Sequence, residues 1–468
     1  MPNRSASIGF NRRQFVCGSA LLVASCSLPK HSSGTRMKTH SIEVSAPFPM
    51  PTIVIPDFSG QPEFNIRDLG AIEGDKQATN QALAQAIDLA SDIGGRVMVP
   101  AGEWLCGPIH LKSRVNLHLE QGATLLFSED PADYLPAVRT SWEGLECFNY
   151  SPLIYAYECS HVAITGQGKL KAKLDVWREW YKRPKAHLDA LAALYHQASK
   201  QEPVEQRQMA YAGANLRPHF VQFNRCQHVL VEGIQIEDSP FWVLHPLLCK
   251  DVVIRKVSVK AHGHNNDGVD PEMTQNMLIE ECEFDQGDDA ISVKAGRNID
   301  GWRFNTPTRN IVMRHCRIKQ AHQLLAVGSE LSGGIENVLV EHCQFDDGTQ
   351  YQGTGNVLLV KTNERRGGFV RNIHLRHISA RAISGGALCV DTDVLYQWRD
   401  LVPTYEKRLT QIEGLYLQDV LLGEARFISQ VQAQPDAPVQ GVHLNKVEAL
   451  ALTEAPIQHQ NVIGFEQQ

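Results

Sequence analysis

The sequence predicts an all-β fold, a parallel β-helix of stacked coils, with one helix capping its N-terminal end and a helical insertion near residues 172–210. Three observations carry this. A pattern recurs as CQHVLVEGIQI, CKDVVIRKVSV, TQNMLIEECEF, TRNIVMRHCRI, IENVLVEHCQF and VRNIHLRHISA, with the polar third residue of each copy at 228, 251, 276, 310, 337 and 372. Each copy is a polar residue and then an alternating aliphatic run, the period-2 signature of a strand with one buried face. The unequal spacing of the copies fits a solenoid, whose insertions fall in turns while the stacked core stays constant. Leucine-rich repeats compete, but their leucine-dense period is absent.

The elements follow in chain order. NRRQFVCGSALLVASC, residues 11–26, joins an arginine pair to a short apolar core and small residues before a cysteine. The core is too short to span a membrane and reads as an export signal over residues 1–26. Arg12-Arg13 resembles the twin-arginine pattern, and Val23–Cys26 resembles a lipobox that makes Cys26 the lipidated first residue. The expected location is the periplasm or the outer membrane, with that anchor as the one membrane contact. Residues 27–50 read as a flexible polar spacer, and 51–468 as a single β-helix domain. Residues 75–95 have helical apolar spacing and end at Gly94-Gly95, a helix stop that suits a cap over the open solenoid end. Residues 172–210, rich in Ala, Leu and aromatics, form the helical insertion, placed either as the wall of a cleft or as a surface excursion.

Within the repeats, Asn276, Asn310, Asn337 and Asn372 recur at one place in the coil, where asparagine tolerates left-handed backbone and can stack as a turn ladder. Outside the leader the cysteines are odd in number and lack any C-x-x-C pair, so zinc and a disulfide framework are both unsupported. Cys226, Cys282, Cys316 and Cys343 sit in strands and read as small buried hydrophobes. The formal net charge of −7 argues against nucleic acid as a partner, while leaving room for an anionic saccharide bound by local cations. Nothing points to an oligomer, and a monomer is expected.

The chemistry concentrates in NNDGVDPE, residues 265–272, and GDDAISVK, residues 287–294. Asp267 and Asp288 are about one coil apart, which places their coils side by side at roughly 4.8 Å per strand. Asn265 and Asp267 would share a strand face, and Gly287 permits the bend that lets Asp288 and Asp289 converge. Crowded carboxylates cannot all ionise freely, so one at least should hold a proton and supply an acid beside a base. A calcium site is the alternative, without the EF-hand spacing to support it.

These motifs resemble the polygalacturonase family, glycoside hydrolase family 28, and most of all its exo-acting and rhamnogalacturonan-related bacterial branches. NND at 265–267 resembles its N-x-D motif and GDD at 287–289 its DD motif; AHQLLAVGSELSGG, residues 321–334, resembles its histidine stretch, and LVKTNERRGG, residues 359–368, its R-I-K stretch. The resemblance implies a right-handed β-helix, no metal or other cofactor, and inverting hydrolysis of pectic saccharides. It makes Asp288 the general acid, Asp267 and Asp289 the bases on water, and His322 the group tuning the acid. Asn265 and Lys361 would bind substrate, Lys361 facing a carboxylate. The family arginine is Leu359 here, and leucine cannot form a bidentate carboxylate fork. Lys294, Arg297, Arg365 and Arg366 are the cations placed to compensate. A β-helical pectate-lyase-type enzyme and a non-catalytic saccharide-binding solenoid are the alternatives; the intact N-x-D, DD and histidine set argues against the latter.

Overall fold

A computed structural model describes residues 37–349, 355–396 and 398–468. The export signal and Cys26 lie outside the described residues. Strands run in parallel from coil to coil, and the β-helix is right-handed. One sheet gathers twenty strands, and the repeat pattern lies on it in strict register: Val229, Val252, Met277, Ile311, Val338 and Ile373 are successive rungs. All six are buried, as the alternation predicts.

The asparagine ladder forms as the spacing implies. Asn276, Asn310, Asn337 and Asn372 have φ between 58° and 61°. Asn310 donates its amide to Asn276 at 3.0 Å, Asn337 to Asn310 at 3.0 Å, and Asn372 to Asn337 at 2.6 Å. Each amide thus satisfies its neighbour at a position where the backbone disfavours most side chains. Among the described residues the cysteines are buried except for half-buried Cys389, and Cys226, Cys249 and Cys282 donate their thiols to backbone carbonyls of the preceding coil.

Helix α1, Lys76–Ile93, begins at Asp75, whose carboxylate accepts from Ala78 N at 3.0 Å, and ends at Gly94 with φ 82°. Its buried stripe of Ala82, Leu83, Ala86, Ile87 and Ala90 joins the core at the first coils. The insertion folds as α2, Asp175–Trp180, and α3, Lys185–Ser199. Leu191, Leu194 and Tyr195 of α3 pack with Trp142, Trp242 and Trp398, so the insertion is fixed to the body.

One expectation needs correction. The flexible spacer assigned to 27–50 is structured over its described part. Strand β1, Lys38–Ile42, pairs antiparallel with β2, Ile53–Asp57. Val44, Phe48, Ile53 and Ile55 lie on an outward-facing apolar row made by Ala163, Leu230, Val253, Leu278, Val312 and Leu339. Polar composition hid the few apolar residues that this row needs for its cover.

A second face of the β-helix carries two short ladders, of four and six strands. Between them the pairing thins to single parallel bridges, Leu244 to Val269 to Ile291 and Leu247 to Glu272 to Lys294. The carboxylate motifs lie at this gap.

Candidate active site

Register brings the motifs together. Val269, Ile291, Leu325 and Leu358 are consecutive rungs, so Asp267, Asp289, His322 and Lys361 come from four successive coils. Around Asn265 the chain is not a continuous strand: φ there is 60°, so the expected shared strand face with Asp267 does not form. Both residues still line one cavity of about 390 Å³, with Asp288, Asp289, Lys294, Arg297, His322, Leu359 and Lys361. Gly287 makes the bend before the acid pair; a Cβ there would stand 2.7 Å from Gly263 N, so the close approach of the two coils requires glycine.

The acids differ in their partners. Asp288 Oδ1 lies 3.2 Å from His322 Nδ1 and accepts from Asp289 N at 3.0 Å. Burial pushes Asp288 up, but His322, Lys361 and Lys294 outweigh it and hold the carboxyl below its ordinary range. Burial likewise disfavours the His322 imidazolium, and the hydrogen bond to Asp288 reverses this and raises its pKa. Asp289 Oδ2 accepts from Lys361 Nζ at 3.0 Å. Asp267 is different: it is buried, and its Oδ1 has no hydrogen-bond partner. Burial first, and the neighbouring Asp288 second, raise it well above the usual carboxylate range. Asp270 points the same way, with both oxygens buried and unpartnered and Lys294 Nζ 3.9 Å off. Burial thus raises the pKa of Asp267 and Asp270, while Asp288 is held low by its contact with His322, whose own pKa rises.

The remaining motif acid turns inward. Glu272 bonds His245 Nε2 at 2.9 Å and Ser141 Oγ at 3.0 Å, and burial lifts it to about 7. Asp288, Asp289 and His322 offer ligand atoms within 4.8 Å of one another, yet Lys361 already stands as the cation beside Asp289.

The candidate substrate cations are mostly committed to protein acids. Lys294 reaches Glu330 at 3.2 Å and Gly328 O at 3.2 Å; Arg297 reaches Glu330 at 2.5 Å and Glu143 at 3.0 Å. Arg365 and Arg366 do not line the cavity. Arg365 donates to Trp398 O and Val402 O, and Arg366 to Ser329 O and Asn298 Oδ1. Neither replaces the arginine missing at Leu359. Asn265 is held by Arg217, which donates to its Oδ1 at 2.9 Å and to His264 O at 2.6 Å.

Several lining residues escaped sequence reasoning: Glu143, Arg183, Trp242, Tyr396 and Trp398. They come from an early loop, the insertion link, a neighbouring coil and a late loop, and no local motif connects them.

Comparison with known proteins gives the lineage. The model of glycosyl hydrolases family 28 matches residues 205–423. A hyperthermoactive exopolygalacturonase from Thermotoga maritima is 34% identical, with 87% of this chain and 90% of that chain covered and a TM-score of 0.77. This chain belongs to glycosyl hydrolases family 28. It is a glycosidase with polygalacturonase relatives. A probable polygalacturonase from Vitis vinifera is 24% identical over 81% of this chain and 72% of its own length. An exo-poly-alpha-D-galacturonosidase from Dickeya chrysanthemi is 28% identical over 59% of this chain; the match spans about half of that relative, 49%. Asp267, Asp288, Asp289, His322, Gln323 and Leu359 all line the cavity.

Proposed function

We propose that this family 28 hydrolase removes sugars from the ends of galacturonate-containing pectic chains, with inversion at the anomeric carbon. The observation that carries the reading is the grouping of Asp267, Asp288, Asp289 and His322 on one wall of a cavity that also holds Lys294, Arg297 and Lys361. Arg183 from the insertion and Trp398 from a late segment line the same cavity, and such added walls beside the acids favour a chain end over a chain middle.

In this reading the proton of the His322–Asp288 pair crosses the 3.2 Å contact to Asp288 as substrate expels water, since a low dielectric disfavours separated charges. Asp288 then gives it to the glycosidic oxygen as the bond to the anomeric carbon breaks. A water on the opposite face attacks that carbon and loses its proton to Asp289, whose counter-ion is Lys361. Asp267, which keeps its proton, orients the water by a hydrogen bond. Leu359 faces one side of the cut with an apolar surface, which favours a sugar without a carboxylate there, such as the rhamnose of rhamnogalacturonan.

The test is digestion of polygalacturonate, rhamnogalacturonan and short oligomers, with products identified and the nascent anomer followed by NMR. Single sugars released with inverted configuration are expected. Unsaturated products absorbing in the ultraviolet mean a lyase instead. A ladder of oligomers refutes end-wise attack, and no product from any substrate refutes the hydrolase reading.

A further inference from the structure

Four lysine and arginine side chains line the cavity, and three have acidic partners: Lys361 with Asp289 at 3.0 Å, Lys294 with Glu330 at 3.2 Å, and Arg297 with Glu330 at 2.5 Å and Glu143 at 3.0 Å. The fourth is Arg183, in the link between α2 and α3. Among the described residues it has no ion pair, and its Nη2 is buried without a hydrogen-bond partner. A guanidinium N–H removed from water and left unbonded is costly, and an arriving carboxylate relieves that cost.

Its surroundings add to the positive field. Arg217, 1% exposed, lies near Arg183 and bonds two carbonyls and the Asn265 amide oxygen, with no carboxylate. His264 is on the same side, where burial, and then Arg217, lower its pKa despite the nearby Asp288. Glu143 is the nearby acid, and Arg297 already occupies its Oε2.

Position along the solenoid gives the side of the cut. Asn265 and His264 belong to the Asp267 coil, and Lys361 lies three rungs farther on, roughly 14 Å at 4.8 Å per rung. The Asp288 coil stands between them. Arg183 and Leu359 therefore meet sugars on opposite sides of the reacting bond.

We infer that Arg183 binds the carboxylate of a uronate sugar on the Asn265 side of the bond, so that acid recognition comes from the helical insertion and not from the coil of Leu359. A planar guanidinium can engage both carboxylate oxygens, which the point charge of a lysine cannot do. The inference rests on the pectic-hydrolase reading above and deepens it: the acidic sugar is required on one side of the cut, and a neutral one is tolerated on the other.

The experiment separates the two. In an Asp288→Asn background, chosen to slow turnover, digalacturonate binding is measured by calorimetry with and without Arg183→Gln and Arg183→Lys. A dimer with both carboxyls reduced to alcohols serves as the control ligand. Arg183→Gln should weaken digalacturonate on the order of 10- to 100-fold, Arg183→Lys less, and the reduced dimer should be unaffected. Unchanged digalacturonate binding, or equal weakening of both ligands, overturns the assignment. Matched melting curves of the variants exclude loss through misfolding. Wild-type turnover is followed in parallel. A wild type that hydrolyses oligomers while Arg183→Gln leaves binding intact refutes the Arg183 site alone. A wild type that binds digalacturonate through Arg183 yet releases no sugar refutes the hydrolase reading alone.

Discussion

Asp270→Asn should stabilise the protein at neutral pH and leave it nearly unchanged in acid. Asp270 is fully buried, neither oxygen has a hydrogen-bond donor, and its nearest cation, Lys294 Nζ, is 3.9 Å away and shared with Glu330 at 3.2 Å. Burial, and Asp267 next to it, push its pKa well above 3.8. The sign follows from proton counting. Below about pH 4 the carboxyl is protonated folded and unfolded alike; above it the unfolded chain releases the proton and the folded chain keeps it. Each further pH unit then costs about 1.4 kcal/mol of stability, up to the folded pKa. Asparagine keeps the shape and removes this titration. The advantage of Asp270→Asn over wild type should therefore grow as the pH rises from 4.5 toward 6.5. Guanidinium denaturation at pH 4.5, 5.5 and 6.5 reads it directly. Parallel pH dependence of the two proteins would show that Asp270 is ionised in the fold and refute the reasoning.

Asp288→Asn should lower turnover on natural oligomers by at least about a hundredfold while melting curves stay close to wild type, with partial rescue by a substrate carrying an activated leaving group; a rescue seen instead with Asp267→Asn would move the acid role to Asp267, whose pKa is the raised one. Leu359→Arg, placed in the cavity two residues before Lys361, should improve kcat/KM on polygalacturonate by roughly 10- to 100-fold and reduce activity on rhamnogalacturonan oligomers. Efficient wild-type hydrolysis of plain galacturonate oligomers with no gain from the arginine would contradict it. Asn337→Ala removes the bonds to Asn310 and from Asn372 at a residue with φ 58°, and should cost about 2–4 kcal/mol. Asn337→Gly should recover the backbone share, and equal losses in denaturation experiments would rule out the left-handed strain.

The repeats by themselves determined much of this fold. Alternation and spacing fixed the coils, because a stacked strand writes its buried face into every second residue and a turn ladder repeats one asparagine per coil. The spacing of Asp267 from the DD pair likewise placed them on adjacent coils. The charge state of each acid was not readable from spacing. Asp267 and Asp288 are alike in sequence and shifted in opposite directions, since burial with Asp288 nearby raises the one and His322 from the next coil lowers the other. The same holds for the cations: Arg365 and Arg366 sit beside the motif in sequence and face away from the cavity, whereas Arg183 arrives from an insertion more than a hundred residues upstream of Asp288. Periodic sequence encodes a ladder locally, but whether a charge has a partner is decided by residues that meet only when the coils stack and the insertion docks on them.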